Sequence, residues 1–502
     1  MIEREFKLAA EAGMVLPDLT DSVTGVVVGP KTTVQLDAVY YDTPTLALAR
    51  WGVTLRSRSG EPGAIWTLKL PVSSSDSALS RHEFMFDEPP GPVPLAVRRA
   101  ARAYTRSQAL GPVVRLQTER TQFVVELGGR PLAKLCDDTV VADRAAEPIT
   151  VFREIEVELV GTEPAPAAVS AIIARLRGAG CKDDEAPVPK AIRALGPRTF
   201  DPPDVTIPKV GKHATVGGLV RNSLAKSVNQ LIGQHAKVCV GDDPEDLHQF
   251  RVAARRLRSD LRTFAPLLDG HLTKWLRDEL GWLGREVGIG RDADVLAARL
   301  RSQLARLPDR DAKTVDTLLK HLSETTTEAF DHVLAMLNDE RYVALLEALV
   351  DTARSPHFTT QPSDLAERSA RPMLADLVHK PWRRLSRAID GLAPDAPDAA
   401  LHAIRILAKR ARYAADAVVP LCGKDAQRFA RALADLQTVL GEYQDTTVAE
   451  AWLRSAAKAL PSTRLVAGEL IAFERDDRVR LRAEFGKVWK QTSRRKLRKW
   501  LR

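Results

Sequence analysis

Hydrophobic and polar positions alternate at both ends of the first two hundred residues. Ile2-Glu3-Arg4-Glu5-Phe6-Lys7-Leu8 places Glu3, Glu5 and Lys7 on one face, because residues two apart in a strand point the same way. Phe152-Arg153-Glu154-Ile155-Glu156-Val157-Glu158-Leu159 does so again, with Glu154, Glu156 and Glu158 on one face and Ile155, Val157 and Leu159 on the other. An ordinary half-buried strand turns a polar face of mixed charge to water. Two acidic combs at the ends of a β-rich region, with arginines and lysines between them, predict charged faces lining the inside of a barrel. Such an interior is stable only if its charges pair with one another, with metal, or with a highly charged ligand.

Between the combs, short alternating runs broken by Gly and Pro predict strands over 53–58, 65–70, 113–117 and 121–127, with a further one at 151–160. Residues 94–109 and 165–179 read as helices. The texture changes at Gly196-Pro197-Arg198-Thr199-Phe200-Asp201-Pro202-Pro203, which predicts a linker over 199–214. Domains are expected at 1–198 and 215–502. Beyond the linker the sequence is rich in Ala, Leu and Arg with helical period, and it repeats. Leu247-His248-Gln249-Phe250-Arg251 matches Leu401-His402-Ala403-Ile404-Arg405, at an offset of 402 − 248 = 154, and Gly288–Val295 matches Gly441–Val448, at 445 − 292 = 153. The helical part is therefore a duplicated unit, with repeats of about 215–355 and 370–502, rather than a solenoid.

The repeats carry the clearest candidate binding surfaces. His248, Arg251, Arg255, Arg258 and Arg262 are spaced to form one stripe along a helix, and His402, Arg405, Lys409 and Arg412 form its counterpart. The adjacent stripe Leu247, Phe250, Ala254, Leu257, Leu261 and Phe264 is apolar and should face the core. A solvated basic face is the ordinary explanation of such a run, but it has no need of His and Arg in the same register twice. Like charges one turn apart repel by about 0.2–0.5 kcal/mol each, a cost that a bridging polyanion would offset. The stripes lack the interleaved aromatics of single-strand binders, and no zinc-finger or RNA-recognition signature is present. Phosphate recognition without base recognition fits better.

Charge agrees with this division. Residues 1–200 hold 24 Lys+Arg against 25 Asp+Glu; subtracted from the chain totals of 74 and 65, this leaves 50 against 40 in residues 201–502. The net charge of +9 thus belongs to the helical part, for which an acidic polymer or a polyphosphate is a natural partner. Four scattered cysteines without a CxxC pair argue against a disulfide framework or a zinc site. No apolar run reaches membrane-span length, and the acidic start predicts no export signal. A cytoplasmic protein is expected.

In the first domain Arg56 and Arg58 share a strand face. Lys69, Arg81, Glu83, Arg115, Arg120, Lys134, Asp138 and Lys190 add further charge. Carboxylates suit a hard divalent cation, and guanidinium and ammonium groups suit phosphate oxygens. Walker-type, GxSxG and HExxH motifs are absent.

Glu3-x-Glu5-x-Lys7 resembles the ExExK signature of the CYTH family, the triphosphate tunnel metalloenzymes. Tyr41-Asp42-Thr43-Pro44, the Arg56/Arg58 strand, Trp66–Pro71 and the Glu154/Glu156/Glu158 strand resemble that family's blocks in their order. The helical duplication resembles the CHAD domain, whose histidines His248 and His402 match. The resemblance implies an α+β multidomain protein: an N-terminal antiparallel β-barrel of about eight strands, then an all-α duplicated helical bundle. It implies hydrolysis of a triphosphate, inorganic triphosphate first, with Mg²⁺ or Mn²⁺. Thiamine triphosphatase, class IV adenylyl cyclase and a non-catalytic polyphosphate-binding, granule-targeting protein are the alternatives. Glu5, Glu156 and Lys7 would be catalytic. Glu3, Glu5, Glu154, Glu156 and Glu158 would hold metal. Lys7, Arg56, Arg58, Lys69, Arg120, Lys134 and Lys190 would grip phosphates, Lys190 following a Pro where the family often has a Ser. The two helical stripes would bind inorganic polyphosphate, implying association with polyphosphate granules, with no specific nucleic acid and no membrane span.

Overall fold

The structure is a computed structural model. It describes the chain except at residues 1, 21, 62, 64, 73–78, 145–148, 161–164, 184–187, 212, 242, 304–305, 360–363 and 502. The side chains of 2, 244, 289–294, 310, 325–326, 329, 364–365, 371 and 373–375 are likewise left aside. Two compact units emerge, Met1–Asp204 and Val205–Arg502.

The first unit contains strands β1 (Ile2–Ala10), β2 (Val26–Val28), β3 (Thr32–Asp42), β4 (Thr54–Ser59), β5 (Trp66–Pro71), β6 (Leu79–Phe86), β7 (Gly111–Leu127), β8 (Arg130–Asp143), β9 (Thr150–Leu159) and β10 (Lys182–Asp183). Its helices are α1 (Ala47–Arg50), α2 (Leu95–Thr105), α3 (Pro166–Gly178) and α4 (Lys190–Leu195). Eight of the strands close on themselves in the order β1-β6-β5-β4-β3-β7-β8-β9, and β9 pairs back to β1. All these pairings are antiparallel. The runs at 113–117 and 121–127 form a single strand of 17 residues, since neither Thr118 nor Arg120 interrupts the alternation.

The barrel's hydrophobic core lies outside its wall. Leu8, Val125, Leu135, Ile155 and Val157 point outward and bury against Ile172 and Leu176 of α3. Burying each such side chain contributes roughly 1.5–3 kcal/mol, and this leaves the inward faces free to carry charge. At one mouth α4 packs Ala191 and Ala194 against Ala38, Tyr40, Leu116 and Val140, which plugs the bore. Gly60 follows β4 at φ +106°, where a Cβ would lie 2.0 Å from the Gln35 carbonyl, so only glycine fits this close approach.

The first unit continues past the expected boundary at 198. Asp204 pairs with Arg106 and, at 3.0 Å, with Arg50, tying the segment after the Pro197–Phe200 turn onto the barrel unit.

The second unit is helical: α5 (Val216–Val240), α6 (Pro244–Phe264), α7 (Gly270–Gln303), α8 (Ala312–Met336), α9 (Glu340–Arg354), α10 (Asp364–Glu367), α11 (Ala370–Asp390), α12 (Asp398–Ala459) and α13 (Arg464–Thr492). The duplication is visible in the helix starts. α11 begins 370 − 216 = 154 residues after α5, and α12 begins 398 − 244 = 154 after α6. α12 breaks at Gly423, where φ is 62° and ψ −141°. That position is equivalent to Gly270, where α7 starts. Thr215 forms an antiparallel bridge with Ser369, its own counterpart. Beside it the Val216 N–H donates to the Arg368 carbonyl and the Ala370 N–H to the Ala214 carbonyl. Equivalent residues that pair reciprocally are what a two-fold axis produces. The predicted apolar stripe of α6, from Leu247 to Phe264, is buried.

Candidate functional site

Alternation along seven of the eight strands delivers most of the charged side chains to one cavity of about 230 Å³ inside the barrel. Its lining includes Lys7, Arg56, Arg58, Lys69, Arg81, Arg120, Lys134 and Lys190 against Glu3, Glu5, Glu61, Glu83, Asp138, Glu156 and Glu158. Eight cations face seven acids, so the bore is not a simple anion hole. Most of the resident charges have partners that an incoming polyanion must displace.

Register places the two combs side by side. Lys7 lies opposite Glu156, and Glu5 opposite Glu158. The Lys7 ammonium donates to Glu156 and, at 3.3 Å, to Glu154. Lys190, from the plug helix, reaches Asp138 at 2.8 Å, Glu154 at 2.8 Å and Glu156 at 2.7 Å. The Arg120 guanidinium forks onto Asp138 at 2.8 and 2.7 Å and donates to Glu156 at 2.9 Å. These groups form one buried lattice. Burial alone would raise the Glu156 carboxyl, but Lys190, Lys7 and Arg120 hold it well below the usual carboxylate range. Burial would likewise lower the Lys190 ammonium, but Glu154, Glu156 and Asp138 raise it well above the ordinary lysine value.

A second grouping is acidic. One oxygen each of Glu3, Glu5 and Glu158 lie within 4.8 Å of one another. Burial, with the charges of Glu156 and Glu3, pushes Glu5 up to about 7. Burial and Glu156 also raise Glu158. Glu3 is lowered despite its burial, because Lys69 sits 2.5 Å away. Three converging carboxylates, two of which resist ionisation, suit a hard divalent cation with oxygen preference.

The structure thus sorts the five acids expected to ligate metal. Glu3, Glu5 and Glu158 converge. Glu156 lies in the cavity wall on lysine and arginine, and Glu154, fully buried, lies behind the lysines outside the lining. All seven residues expected to grip phosphate line the cavity. Arg56 bonds the Tyr40 hydroxyl, which it holds below its ordinary value against the effect of burial, and Arg58 reaches Glu61 at 3.0 Å. Arg81, given no role from sequence, donates to the Gly52 carbonyl at 3.1 Å, the Thr54 hydroxyl at 3.0 Å and the Lys69 carbonyl at 3.0 Å. It is a strut within the wall. Its alternation with Glu83 predicts the inward face but not this role. Arg115 lies outside the bore, paired with Asp37 on the exposed surface.

In the second unit the two basic stripes converge. Lys409 is crowded by Arg255, Arg405 and Arg251; burial and these neighbours push its ammonium down to about 6. Arg262 is pushed down to about 10 by burial, Arg410, Arg277 and Arg258. Glycines make room for the guanidiniums: a Cβ at Gly288 would lie 3.4 Å from Arg251, and one at Gly441 3.7 Å from Arg405. These are equivalent pairs in the two repeats. Arg258 donates to the Arg277 carbonyl at 2.9 Å, and Arg412 lies 3.6 Å from Asp416. His248 is half-buried, while His402 is exposed and bonds Gln444 at 2.8 Å. The side chains of Arg291 and Asp292, matched with Gln444 and Asp445 in the repeat, lie outside the described residues.

A closed antiparallel barrel with a charged bore, followed by a duplicated helical unit with a basic seam, defines the class by architecture. Comparison with known proteins agrees. The CYTH domain profile matches residues 1–184 and the CHAD domain profile residues 222–454; the chain is a CYTH domain followed by a CHAD domain. It is 29% identical over 481 residues to the uncharacterized protein Rv2226 of Mycobacterium tuberculosis, spanning 91% of this chain and 89% of that protein. Among solved structures it is similar to PptA from Streptomyces chartreusis, with 23% identity, 55% of this chain and 100% of that chain covered, and a TM-score of 0.47. The CHAD domain from the plant Ricinus communis gives 24% identity, 57% and 95% coverage, and a TM-score of 0.47. The adenylyl cyclase homologue HpAC1 from Hippeastrum, described as having a dominant triphosphatase activity, gives 17% identity, 37% and 92% coverage, and a TM-score of 0.23. Among the described residues no helix is long and apolar enough to cross a membrane.

Proposed function

We propose that the barrel hydrolyses a triphosphate, inorganic triphosphate foremost, with Mg²⁺ or Mn²⁺, and that the helical domain binds inorganic polyphosphate. The observation that carries the first part is the division of one closed bore into a three-carboxylate patch and a wall of lysine and arginine. Glu3, Glu5 and Glu158 would hold the cation, which would supply Lewis-acid charge at a phosphate oxygen. Arg56, Arg58, Lys69 and Lys134 would neutralise the phosphates, Arg by bidentate contact and Lys as a point charge. Lys7, Lys190 and Arg120 are held by acids and exchange those partners for phosphate oxygens. Positioning and charge neutralisation are most of what phosphoryl transfer requires.

The test is phosphate release from inorganic triphosphate, thiamine triphosphate and ATP, with and without each metal, with cyclic AMP monitored in the ATP arm. Metal-dependent release, fastest from inorganic triphosphate, is expected. No turnover of any substrate by a well-folded protein would overturn the enzymatic reading.

Support for the second part comes from the convergence of two equivalent cationic stripes whose members depress one another's protonation. A flexible polyanion relieves that repulsion and releases counterions, so binding should weaken steeply with salt. Polyphosphate, single-stranded DNA and duplex RNA compared at matched phosphate and salt provide the check. Equal affinity would reduce the seam to a nonspecific basic surface.

A further inference from the structure

A cleft in the helical unit adjoins the basic seam and shares Arg262 with it. It lies between the C-terminal half of α6, the middle of α11 and the first part of α12, with a volume of about 480 Å³, within the range of small-molecule sites. Leu267, Leu377, Pro381 and Leu407 give it an apolar floor, and Arg262, Lys380, Arg384 and Arg410 surround that floor with cations. The cations are strained against one another. Burial and the charges of Arg384 and Arg277 lower Arg410, and Arg410 in turn depresses Arg262.

Two acceptors complete the lining. Asp376 stands at the cleft. Pro381 sits inside α11 and has no N–H, so the Leu377 carbonyl four residues earlier lacks its α-helical donor. Both groups favour a ligand that brings N–H or O–H donors.

The duplication supplies an internal control. A shift of 154 residues carries the cleft onto its two-fold counterpart, where the lining residues differ. Tyr413, buried, stands where Ser259 does. Asp416 replaces Arg262 and pairs with Arg256 at 3.9 Å and Arg412 at 3.6 Å. Ser227 replaces Pro381 and donates to Asp260 at 2.6 Å. Gln230 replaces Arg384. The counterpart keeps Lys226 and Arg256 in the places of Lys380 and Arg410 but loses the other two cations, one of them to an acid, whereas the open cleft keeps all four.

We infer that the open cleft binds a nucleoside polyphosphate, with the base on the apolar floor, the phosphates on Arg262, Lys380, Arg384 and Arg410, and the donors of the sugar or base on Asp376 and the Leu377 carbonyl. Inorganic polyphosphate has no apolar body to cover the floor, and a fatty anion has no donors for the two acceptors. The assignment does not depend on the activity proposed for the barrel.

The test is photolabelling of the full-length protein with azido-ATP, with labelled peptides mapped by mass spectrometry so that the cleft and the barrel are read separately. Label is expected on peptides spanning 377–384 or 407–410, and excess ATP should displace it far better than equimolar inorganic triphosphate or dodecyl phosphate. Lys380→Glu with Arg384→Glu, both exposed, should reduce cleft labelling at least about tenfold, equivalent to about 1.4 kcal/mol, and leave barrel labelling unchanged. Leu407→Trp, which fills the floor, should do the same. Label confined to the barrel, equal displacement by inorganic triphosphate, stronger displacement by dodecyl phosphate, or undiminished cleft labelling in the double variant would each overturn the inference.

Discussion

The bore of the barrel and the seam of the helical domain are both cationic, but their charges are arranged differently. In the bore five of the eight cations pair with acids, and Lys7, Lys190 and Arg120 share Glu154, Glu156 and Asp138 among them. In the seam cations face cations, and Lys409 is pushed down to about 6 by burial and its arginine neighbours. A ligand entering the bore must exchange partners one for one, which selects for a definite number and placement of charges. A ligand on the seam relieves repulsion among crowded cations, which favours a dense, flexible anion. The first arrangement suits chemistry on a small molecule and the second suits retention of a polymer.

The sharpest way to break this contrast is to remove one acid from each grouping in the bore. Glu156→Gln should lower metal-dependent triphosphate hydrolysis at least about 10²–10³-fold, the size of losing one preorganised charge contact. It should also destabilise the barrel by about 3 kcal/mol, because three buried cations lose a shared partner; chemical denaturation measures this. Glu5→Gln should lose activity comparably but keep or raise the melting temperature. The Glu5 carboxyl is raised to about 7 in the fold, above its unfolded value. Its contribution to stability is therefore complete below about pH 4.5 and is lost as pH rises through 7. Melting curves without metal between pH 5 and 8 should show that decline in the parent and a flatter profile in Glu5→Gln. Unchanged hydrolysis in both variants would remove the distinction between bore and seam.

Next in size is the seam. Arg255→Glu with Lys409→Glu should weaken polyphosphate binding about 100-fold at low salt and flatten its salt dependence. The same reversal at exposed Lys496 and Lys499 should change it by about twofold or less. Arg498 is a poorer control, because it stacks over Trp382 at 4.2 Å.

A smaller effect should appear in the pH dependence of the seam. Burial and its arginine neighbours push the Lys409 ammonium down, and a bound polyanion should restore its proton, so binding should take up a proton and tighten as pH falls from 8.5 to 7.5. An ordinary histidine changes charge little over that interval, which separates Lys409 from His248 and His402. Calorimetry in two buffers of different ionisation enthalpy should register proton uptake in the parent and its loss in Lys409→Met.

The smallest expected change follows cutting the chain between the units. Residues 1–204 should retain hydrolysis within about twofold of the full protein. Ending at 198 should lower the melting temperature, since Arg50 and Arg106 lose Asp204.

Much of the fold was legible because period-2 alternation assigns faces without knowledge of the tertiary structure. Glu3, Glu5 and Lys7 on β1, and Glu154, Glu156 and Glu158 on β9, had to turn the same way. Their division into roles was not legible, since it depends on the stagger that sets Lys7 opposite Glu156 and on α4, which brings Lys190 back from the end of the unit. Arg81 had no role assigned from sequence, and only the closure of β4, β5 and β6 reveals it as a strut. In the helical part the offset of 154 was plain in sequence. The break at Gly423 was hidden inside a continuous helical pattern.

The reciprocal bridge between Thr215 and Ser369 has an evolutionary consequence. A seam in which each residue meets its own counterpart is the interface of a homodimer. The helical domain is in effect a dimer written into one chain, and its ancestor would have been a half-length protein that paired with itself. Covalent linkage frees such halves from the obligation to stay identical. Asp416 stands in the place equivalent to Arg262 and Tyr413 in that of Ser259, differences that a true homodimer could not hold.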